Sequence, residues 1–511
     1  MAKIGNLIQK YIFSKTNWAM WFLSHAPDSF WDGKGKSKAL DTFHTAVKKV
    51  HAYKEFLKNS GINSEEIKTF EDFQNKIPIM DKNNYIQNNE ILDLCPERNL
   101  NKMYTVSTSS GSTGKPTFWF RAASQDFMLP KYWETFLIQN WNIDKHSTLV
   151  VVSMDLGNWI AGELVATTLK RLAIEGSYRL TIATPGADIE QILDIFDIAD
   201  NYDQILLVIY PSLIKALLEG GDIRKIDWSK LNIKFWVGGE LLSPYLKNYI
   251  EEKLDSKKKQ FNRFVLTYGS ADAGGIGFSS PMSNKINDLV SNNHGLKEKL
   301  FGKIPFIPTL VQVNPLAYFV EEINKNLVIT YNGGITLIRY NTHDKGGIIP
   351  YAKMIKLVQS YGYDLYSELK KEGYNKDMIW EWPFLYIFGR TGNVVKILGA
   401  NIYPENIEVA LYNDETNEIN NFRLKGNTNK DGNTNFSILI ELKEGIVLEK
   451  QEEMKQKYHN IFLRKLLEVN ADFRGAYEND KEIADPLIEI YEFRQGPFQN
   501  QLKTKAKQIE N

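Results

Sequence analysis

One short run of small and hydroxyl-bearing residues is the part of this sequence best suited to chemistry. Five serine and threonine hydroxyls and two glycines lie between Ser109 and Thr117, directly before the apolar triplet Phe118-Trp119-Phe120. Glycine lets the backbone approach a ligand closely, and hydroxyls beside bare N–H groups suit phosphate oxygens. We therefore expect a loop that binds a nucleoside triphosphate through Ser109, Ser110, Gly111, Ser112, Thr113, Gly114 and Lys115.

The spacing in this loop disfavours a Walker A phosphate loop. That motif has four residues between its first glycine and its Gly-Lys pair, and Ser or Thr after the lysine. Here Gly111 is only three positions before Gly114, and Pro116 follows Lys115. A flexible surface linker is the alternative interpretation. A linker would not need a strand-like apolar triplet immediately after its lysine and proline.

The segment Ser109–Thr117 resembles the phosphate-loop signature of the acyl-adenylate-forming, AMP-forming synthetase superfamily. Its final threonine is similar to that of the phenylacetate–CoA ligase branch, and further landmarks follow in the family's order from about Asp81 onward. The resemblance implies an α/β fold. It would have a large N-terminal adenylation domain, made of α/β layers and a β subdomain, and a small mobile α+β C-terminal domain.

Two further motifs follow apolar strand-like segments. The segment Gly238–Glu240 resembles the family's loop at the adenine face and acyl pocket, with a plain β-turn as the alternative. The segment Tyr268–Asp272 resembles the family's Tyr-Gly-x-Ser/Thr-Glu, in which the tyrosine stacks on adenine and the acid helps to hold Mg²⁺. Here Ala271 lacks the hydroxyl, and Asp272 is one methylene shorter than glutamate but still an oxygen ligand suited to Mg²⁺. The resemblance assigns to ATP or AMP the residues Gly239, Glu240, Tyr268, Gly269 and Ser270.

Two further motifs, one before and one after the segment 357–382, also resemble those of the family. The segment Arg339–Asp344 resembles Arg-Tyr-x-Thr-Gly-Asp, whose aspartate binds both ribose hydroxyls, and this implies that Asp344 contacts ribose. His343 stands where the family usually has glycine, and we assign it no catalytic role. The segment Phe388–Gly399 resembles the family's hinge and the first strand of its mobile domain. It implies a ribose or phosphate contact at Arg390, a hinge at Gly392, and a coenzyme A side at Lys396 and Gly399.

The C-terminal segment Gln501–Lys507 resembles the family's Gly-Lys-Ala-Lys/Gln-Arg ending. The match implies that Lys505 is the catalytic lysine, with Thr504 in place of the family's glycine. Lys503 is the rival position, and a solvated basic terminus is the alternative interpretation.

Aromatic side chains near the ends of the predicted strands are candidates for an acyl pocket. The resemblance suggests an aromatic acid, but aromatic residues are also common in protein cores, so a fatty acid stays open. The expected pocket residues are Trp159, Tyr210, Trp236, Gly238 and Gly274.

Buried-strand patterns alternate with helical patterns between Thr148 and Thr267, which predicts α/β layers with largely parallel strands. Ligands of such sheets bind at the carboxyl ends of the strands. From about Phe306 to Tyr351 the pattern is strand-rich and predicts a smaller β subdomain, while residues 357–382 resemble an insertion or lid. We expect an adenylation domain over 1–388, a hinge at 389–393 and a mobile domain over 394–511.

The bulk composition excludes several classes of protein. The 511 residues carry 62 basic and 62 acidic side chains, so the net charge of zero gives no electrostatic case for nucleic acid. The single cysteine, Cys95, excludes a disulfide framework. No apolar run is long enough for a transmembrane segment, and a cytoplasmic location is expected.

The resemblance implies a two-step reaction that uses ATP, Mg²⁺ and coenzyme A. A carboxylic acid would first become an acyl-adenylate, and a thiol of coenzyme A would then displace AMP. Transfer to a carrier-protein thiol or to an amine is left open by the sequence. A degenerate, non-catalytic nucleotide-binding module is the rival from another class, and the departures at Ala271 and Asp272 support it.

Overall fold

The protein is described by a computed structural model over residues 12–108, 117–123, 128–254, 260–304, 306–390, 395–398, 400–411, 414–428, 434–499 and 509–510. The chain begins with helices that cover one part of the main sheet. Several of their apolar residues, including Phe43, Tyr53 and Phe73, are fully buried against that sheet. The helices are α1 Thr16–His25, α2 Asp28–Lys49, α3 His51–Asn59, α4 Phe70–Lys76 and α5 Ile91–Leu94.

An antiparallel hairpin flanks the predicted phosphate loop. Its strands are β1 Met103–Thr108 and β2 Phe118–Ala122, and Thr108 pairs with Phe118. The predicted strand at Phe118–Phe120 is therefore confirmed. The loop residues 109–116 lie outside the described part of the chain.

The parallel half of the main sheet follows the α/β pattern predicted from the sequence. Strands β3, β5 and β6 are buried along their whole length, as strands covered on both faces require. The five parallel strands lie in the order β4-β3-β5-β6-β7. Their bounds are β3 Thr148–Ser153, β4 Leu180–Ala183, β5 Gln204–Ile209, β6 Ile233–Gly238 and β7 Phe264–Ser270.

Alternating side chains of these strands face two different layers of helices. Val150, Val208 and Trp236 pack with α6 and α7, whereas Val151 and Leu207 pack with α8, α9 and α10. The alternation places the carboxyl ends of the strands between the two layers. The helices are α6 Leu129–Trp141, α7 Ile160–Glu175, α8 Ile189–Ile195, α9 Pro211–Ile223 and α10 Pro244–Lys253.

The strand-rich region continues the same sheet with antiparallel strands instead of closing a sheet of its own. The complete order is β10-β11-β12-β13-β9-β8-β7-β6-β5-β3-β4. One added strand is rich in glycine because it is tightly packed: a Cβ at Gly277 would lie 2.7 Å from Val311. The added strands are β8 Gly274–Phe278, β9 Thr309–Val313, β10 Tyr318–Ile323, β11 Asn326–Asn332, β12 Thr336–Ile349 and β13 Phe384–Arg390.

The segment predicted as an insertion or lid is a packed helical connection between β12 and β13. Its residues Met354, Val358, Leu365 and Leu369 are buried in one cluster with preceding helices. The sequence suggested a lid because charged and tyrosine residues on its outer face are frequent. The helices of this cluster are α11 Pro281–Asn292, α12 His294–Phe301, α13 Tyr351–Gln359 and α14 Leu365–Lys371.

After β13 the chain forms a separate α+β unit with its own core, in which Phe436, Tyr458 and Phe462 are fully buried. Its sheet has the order β18-β17-β16-β19, beside the small hairpin β14-β15. The strands are β14 Val395–Ile397, β15 Ala400–Ile402, β16 Ile419–Thr428, β17 Thr434–Leu442, β18 Leu487–Tyr491 and β19 Ile509–Glu510. The helices are α15 Pro404–Glu408, α16 Gln451–Val469, α17 Ala471–Asn479 and α18 Lys481–Ala484.

Two polar contacts join this unit to α9 of the large unit. Lys215 Nζ donates to the carbonyl oxygen of Leu411 at 2.9 Å, and Lys443 pairs with Glu219 at 2.6 Å. Burial lowers the pKa of Lys215 to about 8. Among the described helices, none has the length and apolar character that crossing a bilayer requires.

Candidate functional site

A cavity of about 540 Å³ lies at the carboxyl ends of β3, β5, β6 and β7. Met154 and Tyr210, which directly follow β3 and β5, line it together with Gly239 and Ser270. This is the position at which open α/β sheets bind ligands. The location agrees with the expectation drawn from the sequence.

The cavity brings together predicted residues from distant parts of the sequence. All five residues expected in the acyl pocket line it, as do several residues expected at ATP. The predicted residues on its wall are Trp159, Tyr210, Trp236, Gly238, Gly239, Gly269, Ser270, Asp272 and Gly274. Thr108, the last residue before the predicted phosphate loop, lines it too, and its N–H donates to the carbonyl oxygen of Asn158 at 3.0 Å.

Other predicted residues fall outside what the structure describes. The phosphate-loop residues Ser109 to Lys115, the hinge residue Gly392, Gly399 and Lys505 are in this group. Arg390 and Lys396 are described only as strand positions, in β13 and β14. Their roles stay predictions.

The inner end of the cavity is apolar and aromatic. The ring of Trp236 lies 5.1 Å from that of Trp133 and 5.9 Å from that of Phe278, both edge-on. Trp236 Nε1 donates to Thr267 Oγ1 at 2.5 Å, so its polar atom is satisfied while its rings face the apolar surroundings. Leu164 also lines this end. An apolar organic group would be bound here by burial of its surface.

The β6–α10 connection needs glycine next to Tyr210. Gly239 has φ +83°, and a Cβ on it would lie 3.0 Å from Tyr210 Cε1. A side chain is disfavoured there by both the left-handed backbone and the tyrosine ring. Burial raises the pKa of the Tyr210 hydroxyl, with smaller contributions from Asp155 and Glu240. Tyr210 therefore stays a neutral hydroxyl at the cavity wall.

Two tyrosine–aspartate pairs lie at the polar side of the site. Tyr340 donates to Asp272 Oδ2 at 2.7 Å, and Tyr268 donates to Asp344 Oδ2 at 2.8 Å. Asp344 is only 7% exposed, and the hydroxyl of Thr342 lies 3.3 Å from that of Tyr268. A carboxylate held by a hydroxyl donor, whether buried like Asp344 or partly buried like Asp272, is a pre-oriented acceptor for further donors.

The register between β12 and β13 sets the predicted ribose contacts side by side. Asp344 is directly opposite Arg390 in the antiparallel ladder. Residues in that relation are near neighbours in a sheet. The sequence separates the two positions by the whole α13–α14 connection, so only the sheet brings them together.

Sequence reasoning missed part of the polar wall. Met80 forms an isolated bridge with Tyr340, and this carries Lys82 and Asn83 to the cavity. His343, to which we assign no catalytic role, also lines the cavity, and its Nε2 lies 3.5 Å from Asp81 Oδ2. The only signal in the sequence was the start of the resemblance at about Asp81. Because Met80 and Tyr340 are some 260 residues apart, no local sequence pattern indicates their pairing.

The predicted residues Glu240 and Ser270 differ in whether their side chains have hydrogen-bond partners. The carboxylate of Glu240 accepts from the N–H and the hydroxyl of Ser212 at 3.0 and 3.1 Å, at the start of α9. Ser270 Oγ is buried and has no hydrogen-bond partner within the described residues. A buried hydroxyl normally has a partner, so Ser270 is an exception on a residue that lines the cavity.

Gly274 is the second position at which the site requires glycine. It has φ +77°, and a Cβ on it would lie 2.8 Å from a guanidinium nitrogen of Arg121. Arg121 is itself 6% exposed. The glycine therefore lets a buried cation approach the cavity wall closely.

The donor set for a metal ion is sparse. Over the described ranges, no group of three or more His, Cys, Asp and Glu side chains could hold one. Asp272 is a single carboxylate on the cavity wall. Mg²⁺ in nucleotide sites is commonly held by one or two carboxylates together with substrate phosphates, so Asp272 fits a metal that arrives with a triphosphate.

Comparison with known proteins rests on structure alone, since no protein-family model and no curated protein matches the chain. 2-Hydroxyisobutyryl-CoA ligase in the postadenylation state aligns with a TM-score of 0.59 at 15% identity, over 95% of this chain and 89% of that chain. The same ligase with 2-HIB-AMP and CoA in the thioesterification state gives a TM-score of 0.51 at 15% identity, over 94% and 89%. An acyl acid amido synthetase in complex with 2,4-DB gives 0.53 at 13% identity, over 94% and 91%. The chain therefore has the fold of the AMP-forming, acyl-adenylate-forming ligases.

Proposed function

We propose that the protein activates a carboxylic acid with ATP, forms an acyl-adenylate and pyrophosphate, and then transfers the acyl group to coenzyme A. The observation that carries this proposal is the two-sided cavity. Its aromatic end suits an apolar acyl group, and its other side carries glycine backbone and the carboxylate of Asp272. The fold shared with acid–CoA ligases supports the same chemistry.

In the first step, a carboxylate oxygen of the acid attacks the α-phosphorus of ATP in line, and the bond to the bridging oxygen of pyrophosphate breaks. Such a reaction requires positioning and charge stabilisation more than covalent help. We assign the adenosine and ribose contacts to Gly239, Tyr268, Asp344 and Arg390, and the charge stabilisation to Lys505. The loop 109–115 would hold the leaving phosphates.

Mg²⁺ bound at Asp272 would neutralise charge on the triphosphate. In the present arrangement the Tyr340 hydroxyl donates to this carboxylate at 2.7 Å and fixes its orientation. An oriented carboxylate compensates in part for the shorter aspartate side chain.

In the second step, the sulfur of coenzyme A attacks the acyl carbon, AMP leaves and the thiol proton passes to solvent. We assign the coenzyme A side to Lys396 and Gly399, and we propose that the unit after residue 393 rotates about Gly392 between the two steps. The phenylacetate–CoA ligase-like subtype is part of the proposal, since the aromatic end of the cavity favours an aryl or similarly apolar acid.

Transfer to an amine is the second candidate, because one structure with the same fold is an acyl acid amido synthetase. Only the acceptor differs, so both functions share the first step. A carrier-protein thiol would be a third acceptor of the same adenylate.

The proposal is tested by ATP–pyrophosphate exchange across a panel of aryl and alkyl acids, with a reaction lacking acid as control. Acid-dependent exchange is expected. The product is then identified by mass spectrometry with coenzyme A or an amino acid added. A thioester supports the proposed function, and an amide supports the second candidate. ATP binding without exchange for any acid would identify a non-catalytic module and overturn both.

A further inference from the structure

A separate cavity of about 220 Å³ lies at the opposite end of the large sheet from the candidate functional site. Gln204, the first residue of β5, and Lys234, at the start of β6, both line it. Its wall shares no described residue with that of the first cavity. Along β6, Lys234 is four residues before Gly238, a length of about 13 Å. We call this space the amino-end cavity.

The ammonium group of Lys234 is the unusual feature of the amino-end cavity. The residue is only 8% exposed, yet its Nζ has no hydrogen-bond or ion-pair partner within the described residues. Protein atoms do not enclose Nζ completely, and the space that Lys234 borders is the amino-end cavity. The unpartnered ammonium group therefore faces this cavity.

Neighbouring buried cations show that this lysine is an exception. Arg263 Nε lies 3.1 Å from Glu251 Oε2, and both residues are 6% exposed. Lys285 Nζ lies 2.5 Å from Glu372 Oε1, and Glu372 lines the amino-end cavity. Buried charges are normally paired. Both carboxylates are already matched by a cation, so neither is left to compensate the charge of Lys234.

Lys234 keeps its charge near neutral pH. Burial, with a smaller contribution from Arg263, lowers the pKa of its ammonium group to about 8, although Glu251 acts in the opposite direction. At pH 7 the side chain is still about nine-tenths protonated. A bound anion would stabilise this charge, which the surrounding protein groups leave uncompensated.

Carbonyl oxygens on the wall of the amino-end cavity are already bonded to protein donors. At the end of α6, the carbonyl oxygen of Asn140 accepts from Asn262 Nδ2 at 3.1 Å, and that of Trp141 accepts from Gln204 Nε2 at 3.0 Å. These acceptors are therefore satisfied without a ligand.

Amide nitrogens on the same wall have donors to spare. Gln260 Nε2 donates to Asn232 Oδ1 at 3.3 Å, and Asn232 Nδ2 donates to the carbonyl oxygen of Asp203 at 3.1 Å. Each of these nitrogens carries a second hydrogen. Spare N–H donors beside an uncompensated positive charge suit the oxygen atoms of an anion.

We propose that the amino-end cavity binds a small oxyanion, either a carboxylate or a phosphate, through the ammonium group of Lys234. The cavity has room for such an anion together with water. The carboxylate of Glu372 on the same wall favours an anion of low charge over a polyanion such as a triphosphate. This site lies apart from the one proposed for ATP and the acid, so the inference does not depend on the proposed function.

Isothermal titration calorimetry of the full chain with acetate, succinate and inorganic phosphate, at about pH 7 and constant ionic strength, tests the proposal. At least one of these anions should bind to Lys234 at millimolar or lower concentration. Tighter binding of acetate or succinate would indicate an organic acid as the ligand, and tighter binding of phosphate would indicate a phosphate compound.

Lys234→Met removes the charge and keeps an unbranched side chain. Its affinity for the anion should fall at least about tenfold, because a charge-assisted hydrogen bond is lost. Lys303→Met is the matched control, since the side chain of Lys303 is 88% exposed and lines neither cavity. Its affinity should stay within about twofold of the wild type. Lys234→Gln is a second uncharged variant, and thermal unfolding checks that each variant folds.

Two results would overturn the inference. Equal affinity of the wild type and a folded, uncharged Lys234 variant would mean that the anion binds elsewhere. Absence of binding of all three anions to the wild type would mean that water alone hydrates the lysine. Neither result bears on the proposed function, which acid-dependent ATP–pyrophosphate exchange tests separately.

Discussion

The large sheet and the small C-terminal sheet differ in whether a cavity lies beside them. The eleven-stranded sheet ends in a cavity of about 540 Å³, with Gly239 and Gly274 in left-handed backbone at its wall. The four-stranded sheet is filled by its own side chains, including the fully buried Phe436 and Ile440, and none of its described residues lines that cavity. Under the proposed function, binding and choice of acid would belong to the large unit, and the small unit would contribute only groups that it brings to that cavity.

This contrast makes a distinction that kinetics can test. A change in the large unit should alter the binding of ATP or acid and affect both steps, because both steps use the same bound adenylate. A change at Lys505 or at the hinge residue Gly392 should alter the rate of one step and leave binding largely intact.

Replacing Lys505 with alanine should have the largest effect. If this lysine supplies charge stabilisation in the first step, its loss should reduce the adenylation rate by roughly 10²–10³, as the loss of one preorganised electrostatic contact does. Single-turnover pyrophosphate release measures this rate. Thioester formation from a supplied acyl-adenylate should change by less than about fivefold in the same variant.

Lys503→Ala is the matched control for Lys505, since it removes the same charge two positions away. It should keep the adenylation rate within about threefold of the wild type, because the proposal assigns the charge stabilisation of the first step to Lys505 alone. A reversal of the two effects would transfer the catalytic role to Lys503. If both variants change the adenylation rate equally and only slightly, the result would contradict a catalytic role for the segment Gln501–Lys507.

Replacing Asp344 with asparagine tests the large unit. The variant keeps the size of the side chain but removes the charge that Tyr268 and the proposed ribose hydroxyls address. A hydrogen bond to a charged group contributes about 1.5–3 kcal/mol, so the KM for ATP should rise roughly 10–100-fold. Adenylate formation and acyl transfer should both slow, because the AMP moiety must stay bound in each step. Asp93→Asn, at a surface ion pair with Arg98, serves as control, and an unchanged KM for ATP in Asp344→Asn would contradict the assignment.

The sequence was sufficient for the elements whose patterns are local. The apolar runs at Thr148–Ser153 and Leu206–Tyr210 predict buried strands between helices, and strands over Thr148–Ser153 and Gln204–Ile209 lie in the parallel half of the sheet. The glycine-rich run Gly274–Gly277 gave no strand prediction, because glycine has low strand propensity. It is a strand because β7 and β9 pair with it on both sides, which is a tertiary effect.

The residues of the site also divide into those that the sequence predicts and those that it does not. The residues on strand ends, such as Tyr210 and Gly239, were predictable because the position of a strand end follows from the pattern of its strand. The pair Asp272–Tyr340 was not predictable, since it depends on side-chain orientation across elements far apart in sequence. The likeness of a motif identifies which residues are involved, and only the fold identifies their hydrogen-bond partners.

Glu405, in the small unit, should make the stability of the chain depend on pH. Burial raises the pKa of Glu405, at the start of α15, to about 7 from its ordinary value of 4.5. The folded chain therefore holds this proton up to about pH 7, whereas the unfolded chain releases it near 4.5, so the free energy of unfolding falls as the pH rises through this window. Glu405→Gln should be more stable than the wild type by about 1–3 kcal/mol above pH 7 and equal to it at low pH.

Urea denaturation of the full chain at about pH 5 and about pH 8 measures this difference. Glu449→Gln, at an exposed position of the same unit, is the control and should show no pH-dependent gain. A gain for Glu405→Gln that is the same at both pH values would show that burial of the charge is not its cause.

Replacing Gly392 with proline tests whether the two units must move relative to each other. Proline fixes φ and removes the N–H, so a rotation at this position would be hindered while each sheet keeps its own core. One step should then slow by at least about threefold more than the other, since the small unit would be held closer to the arrangement needed for one of them. Single-turnover rates of pyrophosphate release and of thioester formation measure the two steps separately.

Gly445→Pro, at a turn within the small unit with φ +84°, strains that unit without touching the connection and should slow both steps alike. If Gly392→Pro also slows both steps alike, the separation between a binding unit and a moving unit loses its kinetic basis, and the small unit would instead be a fixed wall of the site.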